Sequence, residues 1–115
     1  MPTIKTIGSQ TKEQANRSWS GNDPFIHSRL WRKVRNKKIQ QEPLCEVCKK
    51  EGNTVEASVV DHHRPRRLWP DLSLTMTNLV SMCGLHHRKK SLIERDCQTR
   101  RVWELTIQTH VLYKR

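Results

Sequence analysis

The chain has 115 residues and a net charge of +11, with 34% apolar and 5% aromatic residues. That length suits one domain, and so thin a core calls for an extra staple such as a disulfide or a metal. No stretch approaches the ~20 apolar residues needed to cross a bilayer, and the apolar residues of the one basic helix are needed for the core rather than for a membrane surface; the charge points instead to a polyanionic partner.

The first ten residues, from Met1 to Gln10, hold no apolar signal core, so the expectation is a cytoplasmic protein. In that compartment the four cysteines are read as metal ligands, catalytic groups or core residues rather than disulfides. Met1 to Asn22 is polar and without period, and residues 1–24 are expected to form a flexible arm. Asp23 and Pro24 look like an N-cap and first helical residue, opening a helix from Phe25 to Gln41. Its apolar stripe is Ile26, Leu30 and Val34 with Trp31 beside them, its other faces carry Arg29, Arg32, Lys33, Arg35, Lys37 and Lys38, and Pro43 ends it. Cys45 to Cys48 forms a tight turn. Ala57 to His62 contains a short strand, residues 63–75 a loop with Arg64, Arg66 and Arg67, and Asn78 to Met82 a second short strand. Leu85 to about Asp96 reads as a basic helix. Beyond it, Val102, Leu105, Ile107 and Val111 fit neither a helical nor a strand period. The expected division is an arm at 1–24, a domain at 25–96, and an extension at 97–115 packing on that domain.

Two pairs share zinc-knuckle spacing: Cys45-x2-Cys48 and Cys83-x2-His86. Each can bend so that both ligands face one ion, and a structural Zn²⁺ site uses four such ligands in a tetrahedron. The alternative fourth ligand, Cys97, lies about 16 Å beyond His86 along a helix, so both cannot easily reach one ion. The pair geometry favours His86.

Between the pairs stand Val59-Val60-Asp61-His62-His63-Arg64-Pro65, then Asn78-Leu79-Val80, then Cys83-Gly84-Leu85-His86-His87-Arg88-Lys89-Lys90. This ordered set, with the helix around Ser28-Arg29-Leu30-Trp31-Arg32 before it, resembles the HNH endonuclease family over roughly Phe25 to Glu94, in its small phage-type form. The resemblance implies an α+β fold: a ββα-metal (His-Me finger) core stapled by a structural zinc, with the basic helix at its N-terminal side. It implies hydrolysis of DNA phosphodiester bonds, leaving 5′-phosphate and 3′-hydroxyl ends. A base must deprotonate water and a cation must neutralise the leaving oxygen. His62 suits the base at neutral pH. Asp61, adjacent on a strand, points the other way and can hold a divalent ion, most simply Mg²⁺, while His87 reaches that ion from the opposite wall. Asn78 is the motif's central Asn, bracing the loop. Arg64, Arg66, Arg67, Arg88, Lys89 and Lys90 are expected phosphate contacts, with Arg32 and Arg35 as further DNA contacts.

Three positions depart from the family pattern: His86 replaces the commoner Cys, Lys49 a frequent Gly, and His63 an aliphatic residue. His63 is read as a surface substitution or a phosphate contact in preference to a second ion ligand. None of the three removes a catalytic group. The competing reading is a non-catalytic, zinc-stabilised DNA-binding accessory to a larger nuclease or a phage packaging enzyme. A zinc-knuckle protein adaptor is disfavoured by the charge.

Overall fold

A computed structural model describes residues 23–115; the expected arm therefore lies outside the described residues except for Asp23 and Pro24. Helix α1 spans Arg29–Gln41 and a short helix α2 Glu46–Lys50. Strand β1 (Val59–His62) leads through 3-10 turns at Pro70–Leu72 and Met76–Asn78 to β2 (Leu79–Met82), and α3 (Gly84–Glu94) and α4 (Arg100–Gln108) follow. The architecture is small α+β, and no helix among the described residues is long and apolar enough to cross a membrane.

Helix α1 begins later than its sequence suggests. Ser28, not Asp23, is the N-cap, its hydroxyl accepting from the Trp31 amide at 3.1 Å. Asp23 instead caps a separate turn, accepting from the Phe25 amide at 3.0 Å. This turn folds Phe25 back against Trp31, with ring centroids 5.2 Å apart. The buried stripe is rotated accordingly: Trp31 is 6% exposed whereas Leu30 is 64% exposed. Lys38, further along Trp31's face, is buried and pairs with Glu42 at 3.0 Å.

The expected tight turn at 45–48 is the start of α2, with Cys45 as its N-cap and its thiol 3.4 Å from the Cys48 amide. Gly52 closes the helix at φ +87°, a conformation that L side chains adopt only with strain.

β1 and β2 are antiparallel, pairing Val59 with Met82, Val60 with Ser81, Asp61 with Val80 and His62 with Leu79. Alternation along a strand then sorts the side chains. Val60 and Leu79 meet Trp31 of α1 in one apolar cluster. Val80 and Met82 join Cys45, Val47, Cys48, Trp69, Cys97, Trp103, Ile107 and Tyr113 in the other. On β1, His62 thus lies with Val60 on the α1 side and Asp61 on the α3 side.

The ambiguous stretch after Asp96 resolves as α4, capped by the Thr99 hydroxyl at 3.1 Å from the Val102 amide. Its buried residues are Trp103 and Ile107, one helical turn apart. Val102, Leu105 and Val111, which obscured the period, are exposed. Arg115 ties the end of the chain down by bonding Glu46 at 2.9 Å and the carbonyls of Thr77 and Leu79 at 2.6 and 2.9 Å.

Candidate active site

The N-cap of α2, its first turn and the start of α3 bring four ligand atoms together. The donor atoms of Cys45, Cys48, Cys83 and His86 all lie within 4.8 Å of one another. The Cys48 and Cys83 sulfurs are 3.8 Å apart, and His86 Nδ1 is 3.3 Å from each and 3.8 Å from Cys45 Sγ. A tetrahedral zinc with bonds of about 2.3 Å to sulfur and 2.0 Å to nitrogen requires edges of roughly 3.8 and 3.5 Å. The donor set and spacing therefore fit zinc. On the far side of the ring, His86 Nε2 lies 3.2 Å from Glu51 Oε1, the carboxylate support that a metal-binding imidazole ordinarily has. Burial, with the neighbouring thiols, pushes the Cys48 thiol up to about 12; an ion would remove that obstacle by binding the thiolate. Cys97 is not one of the four: it is buried in the apolar cluster beside them, with its thiol 3.7 Å from the Ile93 carbonyl.

His86 and His87 are consecutive on α3, about 100° apart around its axis. His86 faces the cysteines, so His87 faces the sheet. There His87 Nε2 stands 3.8 Å from Asp61 Oδ1. Two ligands on an ion with bonds of about 2.1 Å are separated by roughly 3.0 Å when adjacent and 4.2 Å when opposite. The observed 3.8 Å falls between these two separations, so the two atoms could hold one divalent ion between them. Burial lowers the His87 pKa despite the attraction of Asp61, which leaves the imidazole neutral as a ligand must be. Asp61 is also enclosed. Burial alone would raise its pKa, but the Lys90 ammonium outweighs this and keeps the carboxylate ionised.

His62 is held on three sides. Its ring stacks on Trp31 at 5.0 Å with 24° between planes, and Phe25 lies 5.9 Å away. Its Nε2 is 2.9 Å from the Ser73 carbonyl. A carbonyl only accepts, so Nε2 carries the proton and Nδ1 is the basic nitrogen. Burial lowers the pKa of His62 more than the Ser73 carbonyl and Asp61 raise it, so the ring is neutral at pH 7.

Asn78 braces this turn. Its Oδ1 accepts from the Arg64 amide at 2.9 Å, its Nδ2 donates to the Arg64 carbonyl at 3.1 Å and more weakly to that of Leu72 at 3.4 Å, and its own carbonyl accepts from the His63 amide at 2.7 Å.

Several expected nucleic-acid contacts are placed differently. Lys90 is 2% exposed and faces inward, binding Asp61 at 2.9 Å, Glu94 at 2.6 Å and the His62 carbonyl at 3.0 Å. Because its charge is matched inside the fold, it is not a phosphate contact. His63 is likewise not on the surface: it is buried edge-on against Trp103 at 5.3 Å. Arg64 pairs with Glu104 at 2.8 Å and lies over the Trp69 and Trp103 rings. Arg66 pairs with Asp23 and covers Phe25 at 4.2 Å. Arg67 donates to the Glu94 carbonyl at 2.7 Å, and Arg35 to Asn36 at 3.2 Å. Arg32, Arg88 and Lys89 stay exposed. The sequence reading missed Ser73, Trp31 as the partner of His62, and the Lys90–Glu94 pair. The spacing of Lys90 three residues after His87 and four before Glu94 was a usable signal, since it places all three on one helical face. A backbone carbonyl such as that of Ser73 leaves no signal in a sequence.

A structure search finds the HNH endonuclease of the deep-sea thermophilic bacteriophage GVE2, crystallised with a manganese ion. The two align with a TM-score of 0.62 and 32% identity, over 65% of this chain and 83% of that one. No protein-family model matches the chain, and no curated protein matches it.

Proposed function

The chain belongs to the HNH endonuclease family, and we propose that it is a metal-dependent endonuclease that hydrolyses DNA phosphodiester bonds. The observation that carries the reading is the convergence of Asp61 Oδ1 and His87 Nε2, 3.8 Å apart, at the end of the strand that also bears His62. His62 is the general base: with Nε2 committed to the Ser73 carbonyl, Nδ1 takes the proton from the attacking water. Asp61 and His87 hold the divalent ion, Mg²⁺ or Mn²⁺. That ion, when bound, supplies the positive charge that stabilises the leaving 3′ oxygen. The products are 5′-phosphate and 3′-hydroxyl ends. Asn78 keeps the His62–Arg64 turn in register, and the Cys45, Cys48, Cys83 and His86 group holds a structural Zn²⁺ that joins α2 to α3. Arg32, Arg88 and Lys89 supply exposed charge for backbone phosphates.

A supercoiled-plasmid nicking assay tests this, with zinc-loaded protein, Mg²⁺ or Mn²⁺, and His62→Ala alongside wild type. Nicking that needs the added ion and is lost in a folded His62→Ala is the expected result. DNA binding without nicking under any divalent ion would instead favour the accessory DNA-binding module.

A further inference from the structure

The hydrolytic chemistry above gives Lys90 no task, yet Lys90 is one of the most enclosed side chains in the protein. Enclosing an ammonium is costly unless each of its protons is met. Here all three are: by Asp61 Oδ2 at 2.9 Å, Glu94 Oε2 at 2.6 Å and the His62 carbonyl at 3.0 Å. Glu94 Oε2 is itself fixed by the Trp103 indole N–H at 2.7 Å, so the group is anchored to α4. An ordinary i,i+4 pair on a helix leaves both heads in water. This one is walled in and reaches across to β1.

The consequence lies in how the Asp61 carboxylate is divided. Oδ2 is taken by Lys90, while Oδ1 is the oxygen nearest His87 Nε2, at 3.8 Å. Resting on the reading of Asp61 and His87 as ligands of the divalent ion, we infer that Lys90 is a positioning residue that presents Asp61 to the ion through one oxygen and moderates how tightly the ion is held. Its charge opposes the ion and weakens the pull of Asp61. Glu94 sets how much of that charge acts, because it shares the ammonium with Asp61. Groups placed behind a metal's own ligands commonly change its affinity by about 10–100-fold.

This division predicts shifts of opposite sign. Lys90→Met removes the opposing charge and should tighten Mn²⁺ binding by about tenfold. Glu94→Gln keeps a hydrogen-bonding side chain but leaves Asp61 as the one anion on the ammonium, so Mn²⁺ should bind several-fold more weakly. The measurement is a Mn²⁺ titration of the zinc-loaded full chain, with free Mn²⁺ read by electron paramagnetic resonance and zinc content checked throughout. Asp61→Asn is the control. If Asp61→Asn abolishes binding while both other variants match wild type, Lys90 is a structural charge and the inference is wrong. If Asp61→Asn binds Mn²⁺ like wild type, the ion-ligand assignment itself is wrong and the inference goes with it. Should Lys90→Met lose its zinc or its cooperative melt, Glu94→Gln alone decides: weaker binding sustains the inference and unchanged binding overturns it.

Discussion

Asn78 grips the backbone of Arg64 from both sides, its Oδ1 accepting from the amide at 2.9 Å and its Nδ2 donating to the carbonyl at 3.1 Å. The turn so held begins at His62. Replacing Asn78 with Ala leaves these buried or half-buried backbone groups unmet, at about 1–3 kcal/mol. The expected outcome is a folded, zinc-loaded protein with a lower melting temperature and nicking reduced ~10-fold or more through a misplaced base. Melting curves and single-turnover nicking at saturating Mn²⁺ measure the two effects separately.

Zinc removal should unfold the protein rather than merely silence it. The cysteines of the Cys45, Cys48, Cys83 and His86 group lie in or against the larger apolar cluster, so the ion and the core stand together. Cys45→Ser is expected to lose bound zinc and its cooperative melt together, seen by metal analysis and circular dichroism. A zinc-replete, fully folded Cys45→Ser would contradict this.

His63 predicts an acid sensitivity. Its burial, followed by the charges of Lys90, Arg115 and Arg64, pushes its pKa down to about 3 in the folded state. The unfolded chain takes up the proton near pH 6.5. Stability from this group is therefore complete above about pH 6.5 and is lost progressively as the pH falls towards 3. His63→Leu, which places an aliphatic side chain against Trp103, lacks that loss. Its urea midpoint should gain on wild type between pH 7.0 and 4.5. A constant difference across that range would show that His63 does not carry the effect.

DNA binding should depend on the charges left in solvent. Arg88 and Lys89 are exposed, whereas Arg66 is paired with Asp23 and Arg67 with the Glu94 carbonyl. Each phosphate no longer neutralised by the protein reduces the salt slope by about 0.9. Replacing both Arg88 and Lys89 with Ala should flatten the slope by close to 2, and doing the same to Arg66 and Arg67 should change it less. Fluorescence anisotropy across a salt series without divalent ion distinguishes them.

Much of the site was legible because it is built from short-range geometry. The two-residue gaps in Cys45-x2-Cys48 and Cys83-x2-His86 bring ligands to one side of a turn whatever the rest of the chain does. Adjacent residues on a strand face opposite ways, so Asp61 and His62 separate onto two faces of the sheet by position alone. Consecutive residues on a helix diverge by about 100°, which separates His86 from His87 in the same manner.

The rest was decided in three dimensions. Lys90 looked like one more member of a basic run, and only the arrival of Asp61 from β1 beside Glu94 makes its burial affordable. Trp31 rather than Leu30 turned inward because the sheet offered it Val60, Leu79 and the ring of His62. His63 was buried because α4 brought Trp103 over it, and the tautomer of His62 was set by a carbonyl 11 residues away. The local backbone therefore determined where each of these side chains could stand and which way it could point. Whether a charge is solvated or enclosed depends on partners from distant segments, because desolvation is offset only by groups that the completed fold places within hydrogen-bond reach.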